Sequence, residues 1–177
     1  FAILASAWRK AQGVKKPKLG LLNIGKEASK GTEEIRLAGQ MISELEGIDY
    51  VGFVEADELY QGELDIVVCD GFHGNIALKT SEGLLRHISQ QFDLILQSSV
   101  LGKALSFFTN PVIERFKRQL DPVMHSGALL LGINGLVVKS HGKSDQEAFY
   151  QSMRYTLAEI ELGTAQRLAD EMDRLSA

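Results

Sequence analysis

Hydrophobic and polar positions along the chain follow two patterns that predict strands and helices in turn. Short apolar runs bounded by Gly or Asp, typical of buried strands, occur at 18–25, 48–54 and 64–69. Apolar residues at helical spacing follow within 31–46 and 76–97, and a last helix is predicted over 144–175. Strands that alternate with helices indicate a parallel sheet, so the pattern predicts an α/β fold.

Two segments depart from this alternation. Residues 98–120 crowd large apolar and basic side chains together, which is not typical of a sheet core, and we predict that they project as an arm. Residues 128–140 indicate two strands around Asn134-Gly135, a pair typical of a type I′ hairpin turn, although parallel pairing through a wider loop also fits.

Composition and charge narrow the classes of function. The 177 residues are 45% hydrophobic and 24% charged, close to the average for a globular protein, and no apolar run reaches the roughly 18 residues of a membrane span. The net charge of -4 does not favour nucleic-acid binding, so an anion site must be built locally. The single Cys69 excludes an internal disulfide, and the four scattered histidines lack the spacing of a zinc site. A reducing cytoplasm and no bound metal are expected.

The chain begins with Phe1 rather than Met, and its first residues lack the basic leader of a secretory signal. We therefore expect it to start within a longer protein. The surface that contacts the preceding segment of the longer protein would then be exposed, or it would be covered by another copy of the chain.

The loop over 25–32 is the first candidate for chemistry, because ligands of parallel α/β sheets bind beyond the carboxyl ends of the strands. It carries Lys26, Lys30 and Gly31 just before a helix and could hold a small anion. The Gly and Lys order of a Walker motif is absent. Taken alone, Lys30 is more commonly a solvated surface lysine.

The segment 70–75 is the second candidate. Gly71 and Gly74 would let the backbone approach a ligand closely, and Asn75 lies at the predicted helix start, where an N-cap is its commoner role. Cys69 is expected to be a small buried side chain rather than a nucleophile. Neither Gly-x-Ser-x-Gly nor Gly-x-Gly-x-x-Gly is present, which disfavours serine catalysis and dinucleotide binding.

Four sequence blocks carry a family resemblance. They are LLNIGKEASKG, GFVEADEL, DIVVCDGFHGNIALKTSEG and LLGINGLVVKSHGKS, in that order from 21 to 144. As a set they closely resemble the PlsX family of phosphate acyltransferases of bacterial phospholipid synthesis. The chain departs from that family at Phe53 and Ala56, where Asn and Gly are frequent, at His73, where Thr is frequent, and at Lys139-Ser140.

The resemblance covers essentially the whole chain as the C-terminal half of that family's protein. It implies that 1–177 is the C-terminal part of a single α/β catalytic domain. The implied fold is a parallel-sheet αβα sandwich similar to phosphotransacetylases and to isocitrate and isopropylmalate dehydrogenases, with the site in a cleft.

The resemblance also implies an activity: transfer of a fatty acyl group from acyl carrier protein to inorganic phosphate. Phosphate would attack the thioester directly, with no covalent enzyme intermediate and no cofactor, and a glycerol-3-phosphate acyltransferase would use the acyl-phosphate. Lys30 and Asn75 would be the active-site pair, placing phosphate and neutralising the developing oxyanion. The weaker site candidates are Lys26, Gly31, Gly71, Gly74 and His141. His141 is either an acid or base near neutral pH or a structural loop residue.

The 98–120 arm carries two further expectations. The acidic carrier protein would dock on Lys103, Arg115, Lys117 and Arg118, whose four positive charges face only Glu114 for a local net charge of +3, although a solvated helix face is equally compatible. An apolar tip would rest on the inner face of the cell membrane, unless these residues fill a core or a dimer interface. The tip comprises Val100, Leu101, Leu105, Phe107 and Phe108.

The resemblance implies a homodimer, which we expect to be built through the helices on either side of 98–110. The apolar stripe of the 76–97 helix gives the dimer a physical basis, the alternative being that this stripe packs only on its own sheet. Two other functions remain open. One is a phosphotransacetylase-like enzyme, which differs from the acyl carrier protein-dependent enzyme only in using acyl-CoA as the acyl donor. The other is a non-catalytic membrane-docking module, which two Gly-rich loops at strand ends disfavour.

Overall fold

The computed structural model describes residues 1–97, 115–116, 126–142 and 144–176. Most of the predicted arm therefore lies outside the described residues, including the whole apolar tip and Lys103, Lys117 and Arg118. Arg115 and Phe116 are described, and both are helical and exposed.

A parallel sheet of three strands confirms the predicted α/β class. The strands are β1 (Lys18–Leu22), β2 (Asp49–Val54) and β3 (Ile66–Val68), in the order β2-β1-β3, and β1 pairs in parallel with both neighbours. Leu19 and Leu21 of the central strand are almost fully buried. A continuous apolar run is what a strand covered on both faces requires, which is why this segment was recognisable.

In the described ranges, five α-helices and a 3₁₀ helix accompany these strands, with a second small sheet. The helices are α1 (Ala2–Ala11), α2 (Glu33–Ser43), α3 (Gly71–Gln97), α4 (Gln146–Glu161) and α5 (Thr164–Ser176), the 3₁₀ helix is Ala56–Tyr60, and the small sheet pairs β4 (Ala128–Leu129) with β5 (Val138–Lys139).

Several predicted boundaries are wrong. The α3 helix begins at Gly71 rather than Ile76, so two glycines and Asn75 lie inside it. The predicted terminal helix is two helices, because the chain turns at Gly163 with φ +63°. The α1 helix was not predicted, although its alanines are strong helix formers and Arg9 and Lys10 complement the helix dipole in its last turn.

The prediction of a type I′ turn at Asn134-Gly135 is also wrong. The β4 and β5 strands are joined by the longer connection 130–137, in which the Leu130 N-H donates to the Val137 carbonyl at 2.9 Å. A type I′ turn requires positive φ at both central residues. Gly135 has φ +137°, but no non-glycine residue in the described ranges has positive φ, so Asn134 does not fit that turn.

The chain divides into two compact units. The first, the sheet unit, comprises 1–71, 129–138 and 156–177, and the second, the long-helix unit, comprises the described parts of 72–128 and 139–155. The core of the sheet unit is formed by Ala2, Leu19, Leu21, Ile42 and Ile66. Over the described ranges, none of the helices combines the length and apolar content needed to cross a membrane.

A buried carboxylate links three helices of the sheet unit. Glu159 of α4 is 2% exposed and accepts hydrogen bonds from the Gln12 amide at 3.3 Å and the Thr164 hydroxyl at 2.5 Å. Arg167 of α5 donates to the carbonyl of Ala11 at 3.1 Å. Both Glu159 oxygens thus have hydrogen-bond partners, as buried polar atoms require, and these bonds join the adjoining ends of the three helices.

Candidate active site

Asn23 organises the loop that follows β1. Its backbone N-H donates to the Val54 carbonyl at 2.9 Å, which ties the loop to the end of β2. Its side-chain Oδ1 accepts from the Ile24 N-H at 2.9 Å, and its Nδ2 donates to the Lys30 carbonyl at 3.2 Å. Asn23 is only 6% exposed. This one buried amide therefore fixes both ends of the predicted anion loop.

Gly31 closes the loop in a conformation that requires glycine. Its φ is +85°, and a Cβ at this position would overlap the Asn23 side-chain oxygen. Thr32 follows as the N-cap of α2, and its hydroxyl accepts from the Ile35 N-H at 3.4 Å. The loop thus leads directly from β1 into α2, as the sequence predicted.

The two lysines of this loop differ in their partners. The Lys26 Nζ lies 2.8 Å from Glu58 Oε2, and this hydrogen bond raises the pKa of Lys26. The Lys30 side chain is exposed and forms no ion pair with any described residue. Lys30 therefore has no competing carboxylate among the described residues, while Lys26 anchors the loop to the 3₁₀ helix.

Asn75 is not an N-cap, because α3 begins one turn earlier at Gly71. The Asn75 side chain is exposed on the helix rather than on a loop. Gly71 is also exposed, and a Cβ there would contact nothing within 4 Å, so the space beside the helix start is open. Gly74 lies within the first turn and is partly buried.

A polar cluster on α3 brings His141 to the helix that carries Asn75. The Lys79 Nζ lies 3.0 Å from His141 Nε2, and 3.1 and 2.9 Å from the two carboxylate oxygens of Glu82. Asn75, Lys79 and Glu82 are spaced four and three residues apart, so they share one face of the helix. Lys79 and Glu82 were not predicted as site residues, although their spacing from Asn75 becomes visible once α3 is extended to Gly71.

The His141 loop is fixed by its own hydrogen bonds. The Ser144 hydroxyl donates to the His141 carbonyl at 2.6 Å, and the Ser140 and Ser144 hydroxyls are 2.7 Å apart. Asp145 then caps α4 by accepting from the Ala148 N-H at 2.8 Å. The imidazole therefore extends from a short, well-anchored connection between β5 and α4.

Two ionisable groups in and beside the candidate site have pKa values shifted by their surroundings. The Lys79 ammonium is the main cause that lowers the pKa of Glu82, so this carboxylate is ionised at neutral pH. Burial raises the pKa of the partly buried Cys69, and neighbouring Asp70 raises it further. Within the described part of the chain, no three His, Cys, Asp or Glu side chains cluster as metal ligands do.

The candidates fall into the two units described above. Lys26, Lys30 and Gly31 share the β1–α2 loop of the sheet unit, and Gly71 begins α3 at the edge of that unit. Gly74, Asn75 and His141 belong to the long-helix unit. Each group can contribute positive or amide donors to an anion.

Comparison with known proteins identifies the family to which the chain belongs. The sequence profile described as "fatty acid synthesis protein" matches residues 1–167. Proteins named phosphate acyltransferase are similar to the chain: one from Pseudomonas putida is 41% identical over 175 residues, covering 99% of this chain and 52% of the relative. One from Pseudomonas savastanoi pv. phaseolicola is 39% identical over the same extent.

A third relative of that name, from Pseudomonas syringae pv. tomato, is 38% identical over 177 residues, which is 100% of this chain and 52% of the relative. The chain thus spans about half the length of the curated relatives it matches. With nearly all of its residues matched by one profile, the chain belongs to the fatty acid synthesis protein family, and its curated relatives are phosphate acyltransferases.

Proposed function

We propose that the protein containing this chain transfers a fatty acyl group from acyl carrier protein to inorganic phosphate, forming acyl-phosphate for phospholipid synthesis. The observation that carries the proposal is the Asn23–Gly31 loop, which presents Lys30 before α2 in a chain whose relatives are named phosphate acyltransferases. Lys30 has no ion-pair partner among the described residues. A fixed backbone with an available ammonium is suited to placing a polyanion.

In the proposed reaction a phosphate oxygen attacks the thioester carbonyl carbon. A new C-O bond forms, the C-S bond breaks, and the carrier thiolate leaves and takes up a proton. Lys30 holds phosphate or the developing negative charge, and the Asn75 amide donates to phosphate or to the carbonyl oxygen. Since the thioester is already an activated acyl group, the proposal includes no cofactor.

The partners belong to the same proposal. The acidic carrier protein docks on the basic residues of 103–118, of which Arg115 is exposed in the structure. The protein acts as a homodimer at the inner face of the cell membrane, where the apolar residues of 100–108 contact lipid. A glycerol-3-phosphate acyltransferase consumes the product. The complete domain is proposed to be a parallel αβα sandwich.

The test is phosphate-dependent loss of acyl carrier protein thioester by the full-length protein, with acyl-CoA as a parallel donor. Lys30→Ala and Asn75→Ala should each lower turnover by about 10²-fold or more. Both side chains are exposed, so the melting temperature should be unchanged. Lys15→Ala, which removes another exposed lysine of the sheet unit, is the matched control.

Three outcomes would contradict parts of this proposal. Thioester loss that does not depend on phosphate would exclude acyl transfer to phosphate. Preferred use of acyl-CoA would support the phosphotransacetylase-like alternative. Near-normal turnover of the Lys30 or Asn75 variant would remove that residue from the site.

A further inference from the structure

We propose that Lys79 is a second phosphate-binding lysine, whose ammonium is positioned by Glu82 and His141 on the face of α3 that carries Asn75. The inference rests on the proposed function, since it assigns a residue to the acceptor of that reaction. It concerns only residues of the long-helix unit.

The first argument is that the Lys79 ammonium is both fixed and accessible. A lysine ammonium has three N-H donors and no acceptor. Its Nζ lies 2.9 and 3.1 Å from the two Glu82 carboxylate oxygens and 3.0 Å from His141 Nε2, so contacts on one side hold it in place. The Lys79 side chain is 45% exposed, so a small solute can reach it.

The second argument is how the ammonium is held. The Glu82 side chain is only 13% exposed, which places a largely buried carboxylate beside a more exposed lysine. The lowered pKa of Glu82 keeps that carboxylate charged at neutral pH. A lysine that binds phosphate while paired with a glutamate is an established arrangement in protein kinases. An ion pair with a glutamate can therefore position such a lysine and still allow it to bind phosphate.

His141 has a defined part in this arrangement. Because a lysine ammonium can only donate, His141 Nε2 is the acceptor in this contact. Ser144 fixes the backbone of His141, so the acceptor comes from an anchored loop. This geometry assigns His141 to positioning Lys79 rather than to acid or base catalysis.

Charge and spacing complete the argument. The Arg86 guanidinium lies 4.0 Å from Glu82, so two cations share one carboxylate and the cluster keeps a net positive charge. Asn75 lies one helical turn before Lys79 on the same face, at the roughly 5–6 Å Cβ separation of such pairs. An amide and an ammonium at this separation can both donate to the oxygens of one phosphate.

The first test measures KM for inorganic phosphate and KM for acyl carrier protein thioester in the full-length protein. Lys79→Ala should raise the phosphate KM at least about tenfold, the cost expected for one charged hydrogen bond, and leave the donor KM within about twofold. Lys79→Arg should recover part of the phosphate affinity. Lys16→Ala is the control, because Lys16 is also an exposed lysine in an ion pair, 3.4 Å from Asp49.

Titration calorimetry with inorganic phosphate supplies a readout independent of turnover, and Lys79→Met keeps most of the aliphatic stem if the alanine variant folds poorly. An unchanged phosphate KM and phosphate affinity in a folded Lys79 variant would overturn the inference. A wild-type protein with no phosphate-dependent transfer would instead overturn the proposed function. The two failures are therefore distinguishable.

The positioning roles have a separate test. Glu82→Gln and His141→Leu should each raise the phosphate KM, by less than Lys79→Ala does. In the Lys79→Ala background they should add nothing, because they act through the lysine. Equal effects in both backgrounds would show that they act independently and would overturn the positioning roles.

Discussion

Asn23 and Gly31 form the most constrained pair of residues around the Lys30 loop. Asn23 is buried and satisfies the Lys30 carbonyl, while Gly31 packs so closely that no Cβ fits beside the Asn23 amide. The position of the Lys30 backbone therefore depends on two residues that have no direct part in the proposed chemistry.

At this scale we predict that Gly31→Ala destabilises the protein more than Gly62→Ala. Both glycines have positive φ, +85° and +76°, so both substitutions strain the backbone. Only Gly31 lacks space for a Cβ, which should add about 1–3 kcal/mol to the loss in unfolding free energy. Urea unfolding of both variants measures the difference. Equal losses would show that the overlap with Asn23 is relieved without cost.

At the scale of elements, one carboxylate joins the starts of β1 and β3. Asp65 Oδ2 accepts from the Lys18 backbone N-H at 2.9 Å, and Oδ1 lies 3.4 Å from Arg9 of α1. The Asp65 N-H in turn donates to the Lys18 carbonyl at 3.0 Å. A residue just before β3 thus connects two strands and a helix.

These contacts predict a pH dependence. The Lys18 backbone hydrogen bond, followed by that of Arg9, lowers the pKa of Asp65 in the folded protein. A lowered folded-state pKa contributes stability that is present above the unfolded pKa of about 4 and is lost as pH falls through the folded value. Asp65→Asn should therefore be less stable than wild type at neutral pH, and the difference should narrow on acidification below about pH 4.

Urea midpoints at a series of pH values measure this difference. Asp173→Asn, which removes an exposed carboxylate from α5, controls for the change in net charge. A gap between Asp65→Asn and wild type that stays constant down to the acid transition would contradict the prediction.

At the scale of the whole molecule, α3 presents apolar side chains that the described chain leaves uncovered. Leu84, Phe92 and Ile95 are 57%, 45% and 65% exposed. If the apolar stripe of α3 packed only on the sheet of its own chain, these side chains would be buried. Large exposed apolar surfaces of this kind are typical of interaction sites.

We predict that the full-length protein is a homodimer through this stripe and that Leu84→Glu weakens it. Burying a carboxylate in an apolar interface without a partner is unfavourable. Leu37→Glu is the matched control, because Leu37 is also 57% exposed but lies on α2. Size-exclusion chromatography with light scattering at micromolar concentration measures the mass. A wild-type monomer, or equal effects of both variants, would contradict the interface.

The sequence by itself determined the α/β class, the parallel pairing, the approximate positions of β1, β2 and α2, and the loop between β1 and α2. These depend on local patterns: apolar runs mark buried strands, and helical spacing marks a half-buried helix. The start of α3 was missed because glycine is a poor helix former, so local propensity favoured a loop over 71–74 where the structure continues the helix.

Only the tertiary structure decided which polar residues meet. Nothing local in the sequence shows that Lys26 pairs with Glu58 while Lys30 has no ion-pair partner in the described part of the chain, since that depends on where the 3₁₀ helix lies beside the loop. Likewise, Lys79 and His141 are 62 residues apart, and their contact depends on the path of the chain between them. Hydrophobic periodicity indicates which residues are buried. Whether two charged residues far apart in sequence come into contact depends on how whole helices and strands pack.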